Sequence, residues 1–255
     1  MSKGHSPLTQ FEIIPLVEMQ PLFGRYNIDF TNASAFMVLA VVAVAGFMLG
    51  GIGRRALVPG HWQSMVELTY EFVAGMVKDT VGSAGRQYFP MIFSVFLFVL
   101  CLNLLGMIPF SFTVTSHIIV TFALAAFIFI GVTLVAIYKQ GLGGFLAHFL
   151  PQGTPWWMAP LIYVIEVISY LARPCSLSIR LAANMMAGHT MMKVVAGFIV
   201  SMLAAESIIV QSSSVVPFGF TVLLTAFEFL VAFLQAYIFT ILSCVYLSDA
   251  LHESH

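Results

Sequence analysis

From Met158 to Val200 the chain is almost wholly apolar, yet it carries Glu166, Arg173, Arg180, Asn184 and His189. At about 1.5 Å of rise per helical residue, such a stretch reaches about 65 Å, twice the roughly 30 Å of a hydrocarbon core. It must tilt steeply, bend, or cross twice. An arginine near the centre of a bilayer costs about 2.5–3.5 kcal/mol even on the lenient insertion scale, so a chain that keeps one there is expected to use it.

The rest of the chain has the same character. Of its 255 residues 60% are hydrophobic and 8% charged, which excludes an ordinary soluble domain and predicts an all-α polytopic membrane protein. The formal net charge of −1 comes without a polybasic or acidic tail, so no nucleic-acid partner is expected. Cys101, Cys175 and Cys244 are scattered through apolar segments without pairing or metal-like spacing. They read as small hydrophobes, and no metal site or cofactor is expected. No glycine loop followed by Lys and Ser/Thr is present, so nucleotide chemistry is not expected in this chain. Residues 1–33 include Glu12, Glu18 and Asp29 and lack a basic region leading into an apolar one. The first span is therefore expected to direct its own insertion.

The reading along the chain is one membrane domain, 1–255, of about five membrane helices plus an amphipathic surface helix. Residues 1–33, with Pro7, Pro15 and Pro21, form an outer segment, either a short surface helix or a loop. Residues 34–52 are the first span, stopped by Arg54 and Arg55, which place that end in the cytoplasm and the N-terminus outside. In 61–87, His61, Glu67, Glu71, Lys78, Asp79 and Arg86 alternate at helical spacing with Trp62, Val66, Val73 and other apolar residues. That predicts an amphipathic helix on the cytoplasmic surface or packed on its neighbours. Residues 89–138 form a helical hairpin: Phe89–Ile108 with the amide Asn103, an outer turn SFTVTS, and His117–Tyr138 running to Lys139. The Gly- and Pro-rich 141–155 is too short to cross and predicts a re-entrant or interfacial segment. Residues 156–248 form a long tilted hairpin. Its first helix contains Pro174, AAESIIVQSSSVVP breaks it on the outer side, and Phe218–Leu247 returns with Glu228 and Gln235. The end of the chain is then cytoplasmic.

The polar residues inside the spans are the functional candidates. Glu166, Arg173 and Arg180 are spaced by seven, drifting only about 20° per step, and share a stripe; Asn184 continues it one turn on. His189, nine positions from Arg180, faces the opposite way. Glu228 and Gln235 share a face of the last helix. With the two helices antiparallel, a level match of Arg180 with Gln235 brings His189 and Glu228 to one depth. Bland readings remain open. Arg180 can anchor Glu166 or Glu228, Arg173 can snorkel, His189 can be a satisfied core histidine, and Asn103, Asn184 and Gln235 can simply tie helices together. Taken together, two carboxylates, a histidine and amides at compatible depths favour a proton path. Histidine and buried carboxylates titrate near neutral pH, whereas arginine stays charged and acts as a barrier. Asn103, Arg173 and Ser169 are candidate supporting residues.

SLSIRLAANMMAGH, followed about forty residues later by EFLVAFLQAYIFTILSCVYL, resembles subunit a of the F-type ATP synthase membrane sector, and NLLGMIPF on the second span belongs to the same pattern. The resemblance implies a stator subunit, not itself catalytic, whose partners are the c-ring, the b-type subunits of the peripheral stalk and membrane lipid. It implies that Arg180 is the essential arginine facing the ring carboxylates, with Gln235 and Asn184 near it. Glu166 then matches the half-channel on the ATP-forming side. His189 and Glu228 match the pair lining the other half-channel, in the order found in mitochondrial members. The aspartate that some members carry shortly after Asn103 is replaced here by Leu105 and Gly106. The implied ion is H+, with Na+ left open, and the implied location is a bacterial inner membrane, with an organelle's inner membrane also open. Two rival classes stay in view: a self-contained secondary transporter or channel, which would favour inverted repeats that the sequence does not display, and a structural membrane scaffold.

Overall fold

A computed structural model describes residues 13–17, 29–52, 59–108, 111–150 and 155–251. Helices dominate: α1 (Asn32–Ile52), α2 (His61–Val81), α3 (Phe89–Gly106), α4 (Ile118–His148), α5 (Ala159–Leu203), α6 (Ile208–Ser213) and α7 (Val215–Leu251). Short 3-10 turns at Gly82–Tyr88 and Val114–Ser116 lead into α3 and α4. Five helical stretches among the described residues are long and apolar enough to cross a membrane: α1, the run from α2 through α3, α4, α5, and the run from α6 through α7. The all-α polytopic architecture expected from the sequence is present. The arginine doublet used to orient the first span, Arg54 and Arg55, lies outside the described residues.

Near the start, Pro15–Val17 (β1) pairs antiparallel with Phe30–Thr31 (β2), where the sequence suggested a surface helix or a loop. Asn32 closes this ribbon, since its backbone N–H donates to the Ile14 carbonyl and its Oδ1 accepts from the Ile14 N–H. Both bonds depend on residues distant in sequence, which local apolar patterning does not reveal.

The core forms around the second half of α7. Its buried residues, Ala232, Gln235, Ala236, Phe239, Thr240, Ser243, Cys244, Leu247 and Ala250, recur at three- and four-residue steps, one face of a helix. Most are small, which lets neighbouring backbones come close where lipid supplies no hydrophobic drive. Phe239 and Leu247 meet Ile92, Phe96 and Val99 of α3 and Ile128 and Val132 of α4 in one cluster. The amphipathic α2 joins the same cluster through Val73, Val77 and Val81, so its apolar stripe is spent on the bundle, where it packs on α1, α3 and α7.

The long stretch that opened the sequence reading is a single helix, α5, of 45 residues, about 68 Å long. It does not cross twice. Pro174 sits inside it and is buried, and the helix continues past it, as membrane helices do when neighbours re-satisfy the freed backbone groups. The buried stripe of α5 is narrow: Pro174, Leu177, Ser178, Leu181, Ala182 and Met185. α5 packs through it on α4 and α7. Everything beyond Met185 on α5, and most of α7 before Ala232, is exposed or half-exposed, Phe198, Val200, Val215, Val216 and Leu223 among them. In α4 the backbone leaves helical geometry at Gly141, with φ 73° and ψ 165°, and the helix resumes to His148. The described part of 141–155 is thus largely a helical continuation after a break.

Candidate functional site

The polar residues of α5 divide by face. Arg180 and Asn184 are exposed, next to the buried stripe. Ala183, Met186, Ala187, Thr190 and Met191 continue that open face as a shallow groove. Among the described residues no ion pair holds Arg180, so neither Glu166 nor Glu228 anchors it. Glu166 is half-buried and Ser169 is exposed. Arg173, on the stripe between Glu166 and Arg180, turns back to the end of α7. Its Nη1 lies 3.7 Å from Asp249 Oδ2, and its guanidinium sits over the rings of Tyr246 at 5.2 Å and Tyr170 at 5.7 Å. Tyr170 in turn shares a 2.7 Å hydroxyl hydrogen bond with Thr133 of α4. Arg173 thereby links α5 to the end of α7.

Further along α5, His189 and, from α7, Glu228 are half-buried. Gly188 lets Glu228 come close. A Cβ built there would collide with Glu228 Oε1 and lie 2.9 Å from its Cδ and 3.3 Å from its Cγ. The absence of a side chain at 188 therefore seats the Glu228 carboxyl directly on the α5 backbone, one residue from His189, as the depth argument from the sequence required. His189 Nε2 lies 3.2 Å from Thr113 Oγ1. Asn103 of α3 is wholly buried and donates from Nδ2 to the Ala232 carbonyl of α7 at 3.1 Å. One turn on from Ala232, Gln235 is 3% exposed.

Buried polar side chains normally find a partner, because an unmade hydrogen bond costs about 1–3 kcal/mol and more for a charge. Here six buried side-chain atoms have no hydrogen-bond partner among the described residues: Asn103 Oδ1, Thr115 Oγ1, His117 Nε2, both Glu228 oxygens and Gln235 Nε2. All belong to α3, the turn before α4, and α7. A carboxyl with both oxygens buried and unpartnered must take up a proton or be reached by water.

The sequence reading passed over part of this site. The sequence places Thr113 and Thr115 in the outer turn and His117 at the start of a span, because Ser and Thr are ordinary at the end of a span and nothing local marks them. In the sequence Asp249 stands in the chain end, and the signal that marks it is that a carboxylate at the far end of the last helix is what a neighbouring arginine would seek. Lys193, exposed one turn beyond His189, was also not singled out.

Fold and site together define a polytopic helical membrane subunit with ionisable groups gathered between helices and a charged helix face left open. A family model described as ATP synthase A chain matches residues 34–248. Proteins named ATP synthase subunit a align over nearly the full length. The one from Neorickettsia sennetsu is 53% identical over 250 residues, covering 97% of this chain and 99% of that protein. That of Pelagibacter ubique is 52% identical over 250 residues, covering 98% and 99%. That of a Wolbachia strain from Drosophila simulans is 51% identical over 245 residues, covering 96% and 98%. The chain belongs to the ATP synthase A chain family, the proton-translocating stator subunit of the F-type enzyme. It works within the membrane sector of that complex.

Proposed function

We propose that this chain gives protons two offset half-channels, opening on opposite sides of the membrane and joined only through the carboxylates of a rotating c-ring. The observation that carries this reading lies on α5: Arg180 and Asn184 on an exposed face, and two turns further on half-buried His189 against Thr113, next in sequence to Gly188, which seats the unpartnered Glu228 carboxyl. Protons enter past His189 and Glu228, with Asn103 and Gln235 supplying amide groups along the way. They neutralise a ring carboxylate, travel round with the ring, and leave near Glu166 and Ser169. The c-ring lies along the open face of α5, b-type stalk subunits pack on the remaining exposed helices, and lipid covers the rest. The N-terminus lies outside and the C-terminus in the cytoplasm of a bacterial inner membrane.

Arg180 sits between the two paths as a group that cannot carry a proton, because its pKa above about 12 keeps it charged. A ring carboxylate arriving about 4 Å away is stabilised in its ionised form by about 4 kcal/mol at an effective dielectric of about 20, equivalent to about three pK units. That is enough to discharge the carboxylate into the outlet and to keep protons from passing straight from inlet to outlet.

Cysteine accessibility tests the two-sided layout. In assembled complex with Cys101, Cys175 and Cys244 replaced by alanine, a membrane-impermeant thiol reagent is added from one side at a time. His189→Cys is expected to react from the outside only and Glu166→Cys from the cytoplasm only, with at least about a tenfold preference, the factor given by about 1.4 kcal/mol of barrier. Reaction of both from the same side would overturn the offset half-channels.

A further inference from the structure

Building on the assignment of His189 to the proton inlet, we infer that Thr113, in the turn between α3 and α4, is a positioning residue that fixes which ring nitrogen of His189 handles the proton. Thr113 is 2% exposed and sits between two groups: its Oγ1 is 3.4 Å from the Gly106 carbonyl oxygen and 3.2 Å from His189 Nε2.

The direction of these bonds follows from what each group can do. Gly106 is the last residue of α3 and is buried, and a carbonyl at a helix C-terminus has no donor within its own helix. Its neighbours are served otherwise. Met107 N–H donates to the Asn103 and Leu104 carbonyls, and Ser111 Oγ–H gives its one proton to the Leu105 carbonyl at 2.7 Å, although its oxygen also lies 3.2 Å from the Gly106 carbonyl. A carbonyl oxygen only accepts, and with the Ser111 proton committed to Leu105 the Thr113 hydroxyl is the donor left for Gly106, so its single proton goes there. Its oxygen is then an acceptor towards Nε2, which must carry a hydrogen. Neutral His189 is held as the Nε2–H tautomer with Nδ1 as the bare nitrogen, and protonation adds a hydrogen to Nδ1 without disturbing the bond to Thr113. Protons therefore arrive at and depart from Nδ1, and the ring does not need to turn over in the cycle.

The turn is built to hold Thr113 there. Ser116 Oγ–H donates to the Thr113 carbonyl at 2.7 Å, and Ser111 N–H to the Ile108 carbonyl at 3.0 Å. Thr113 Cγ2 would lie 2.9 Å from a Cβ at position 106, so a glycine there allows the close approach. This gives a reason for Gly106 in a span whose other residues are larger.

The test uses the whole ATP synthase in lipid with 15N-labelled histidine. The resonance pair missing from His189→Gln identifies His189. The expected spectrum of the neutral ring has Nε2 protonated and Nδ1 bare; Nδ1–H in its place would overturn the inference. Thr113→Val, nearly the same shape without the hydroxyl, is expected to mix the two tautomers and lower ATP-driven proton pumping about tenfold, the scale of one lost bond to a buried donor. Thr113→Ser is expected to restore both. An unchanged tautomer and unchanged pumping in Thr113→Val would overturn the role of Thr113, while normal pumping by His189→Gln would instead overturn the inlet assignment. If Thr113→Val fails to assemble, the spectrum of the unsubstituted complex decides the tautomer by itself.

Discussion

Arg180→Ala is expected to abolish coupled ATP synthesis while leaving a passive proton leak through the assembled complex. The expectation rests on two properties of this residue. It lies on an exposed face of α5, with no ion pair among the described residues. It is also permanently charged, so removing it takes away both the barrier between the half-channels and the field that ionises an arriving ring carboxylate. ATP synthesis in inverted membrane vesicles should fall to background, a loss of at least about a thousandfold if about 4 kcal/mol of electrostatic stabilisation disappears. Proton uptake driven by an imposed gradient should persist or rise. Arg180→Lys is expected to fail as well, since a lysine loses its proton readily when desolvated and lacks the planar, multi-donor head. Preserved coupling in Arg180→Ala would contradict the role. Arg173→Ala gives a useful contrast, because that guanidinium already lies 3.7 Å from Asp249.

The second large effect is expected from neutralising the inlet. A complex carrying both His189→Gln and Glu228→Gln should lose about a hundredfold or more of its ATP-driven proton pumping, the range typical of removing a positioned proton-transfer group. Assembly with the ring should be retained, since neither side chain contributes to the apolar cluster around Phe239. Glu228 is seated on Gly188, the residue before His189 in α5. Each single replacement should therefore cost nearly as much as the pair, as expected for groups that act in series. A scaffold would tolerate the double replacement, and undiminished pumping would favour that class of protein.

Much of this could be seen in the residues before any coordinates. Seven-residue spacing puts Glu166, Arg173 and Arg180 on one stripe and nine-residue spacing turns His189 away from Arg180, arithmetic that applies because α5 is one helix of 45 residues. Charge in an apolar run is conspicuous because membranes penalise it. What stayed hidden depends on contacts between segments. Nothing near Thr113 announces His189, 76 positions away. Arg173 looked free to serve the path or to snorkel until Asp249 and Tyr246 came round from the end of α7. The pairing of Pro15–Val17 with Phe30–Thr31 was equally invisible, since two- and three-residue strands carry no periodic signal. The seating of Glu228 on Gly188 lies between these cases. The depth argument predicted the level, while the close approach depends on a missing side chain whose importance appears only when the helices are packed.

The central claim is that neither half-channel crosses the membrane alone and that the ring completes the path. Proton flux into liposomes containing the purified chain, with and without c-ring, measures this directly under an imposed potential. The chain alone should conduct no faster than empty liposomes, and flux should appear only when the ring is present. Sustained proton flux through the chain by itself, matching that of the complex with the ring, would contradict the account and mark a self-contained channel.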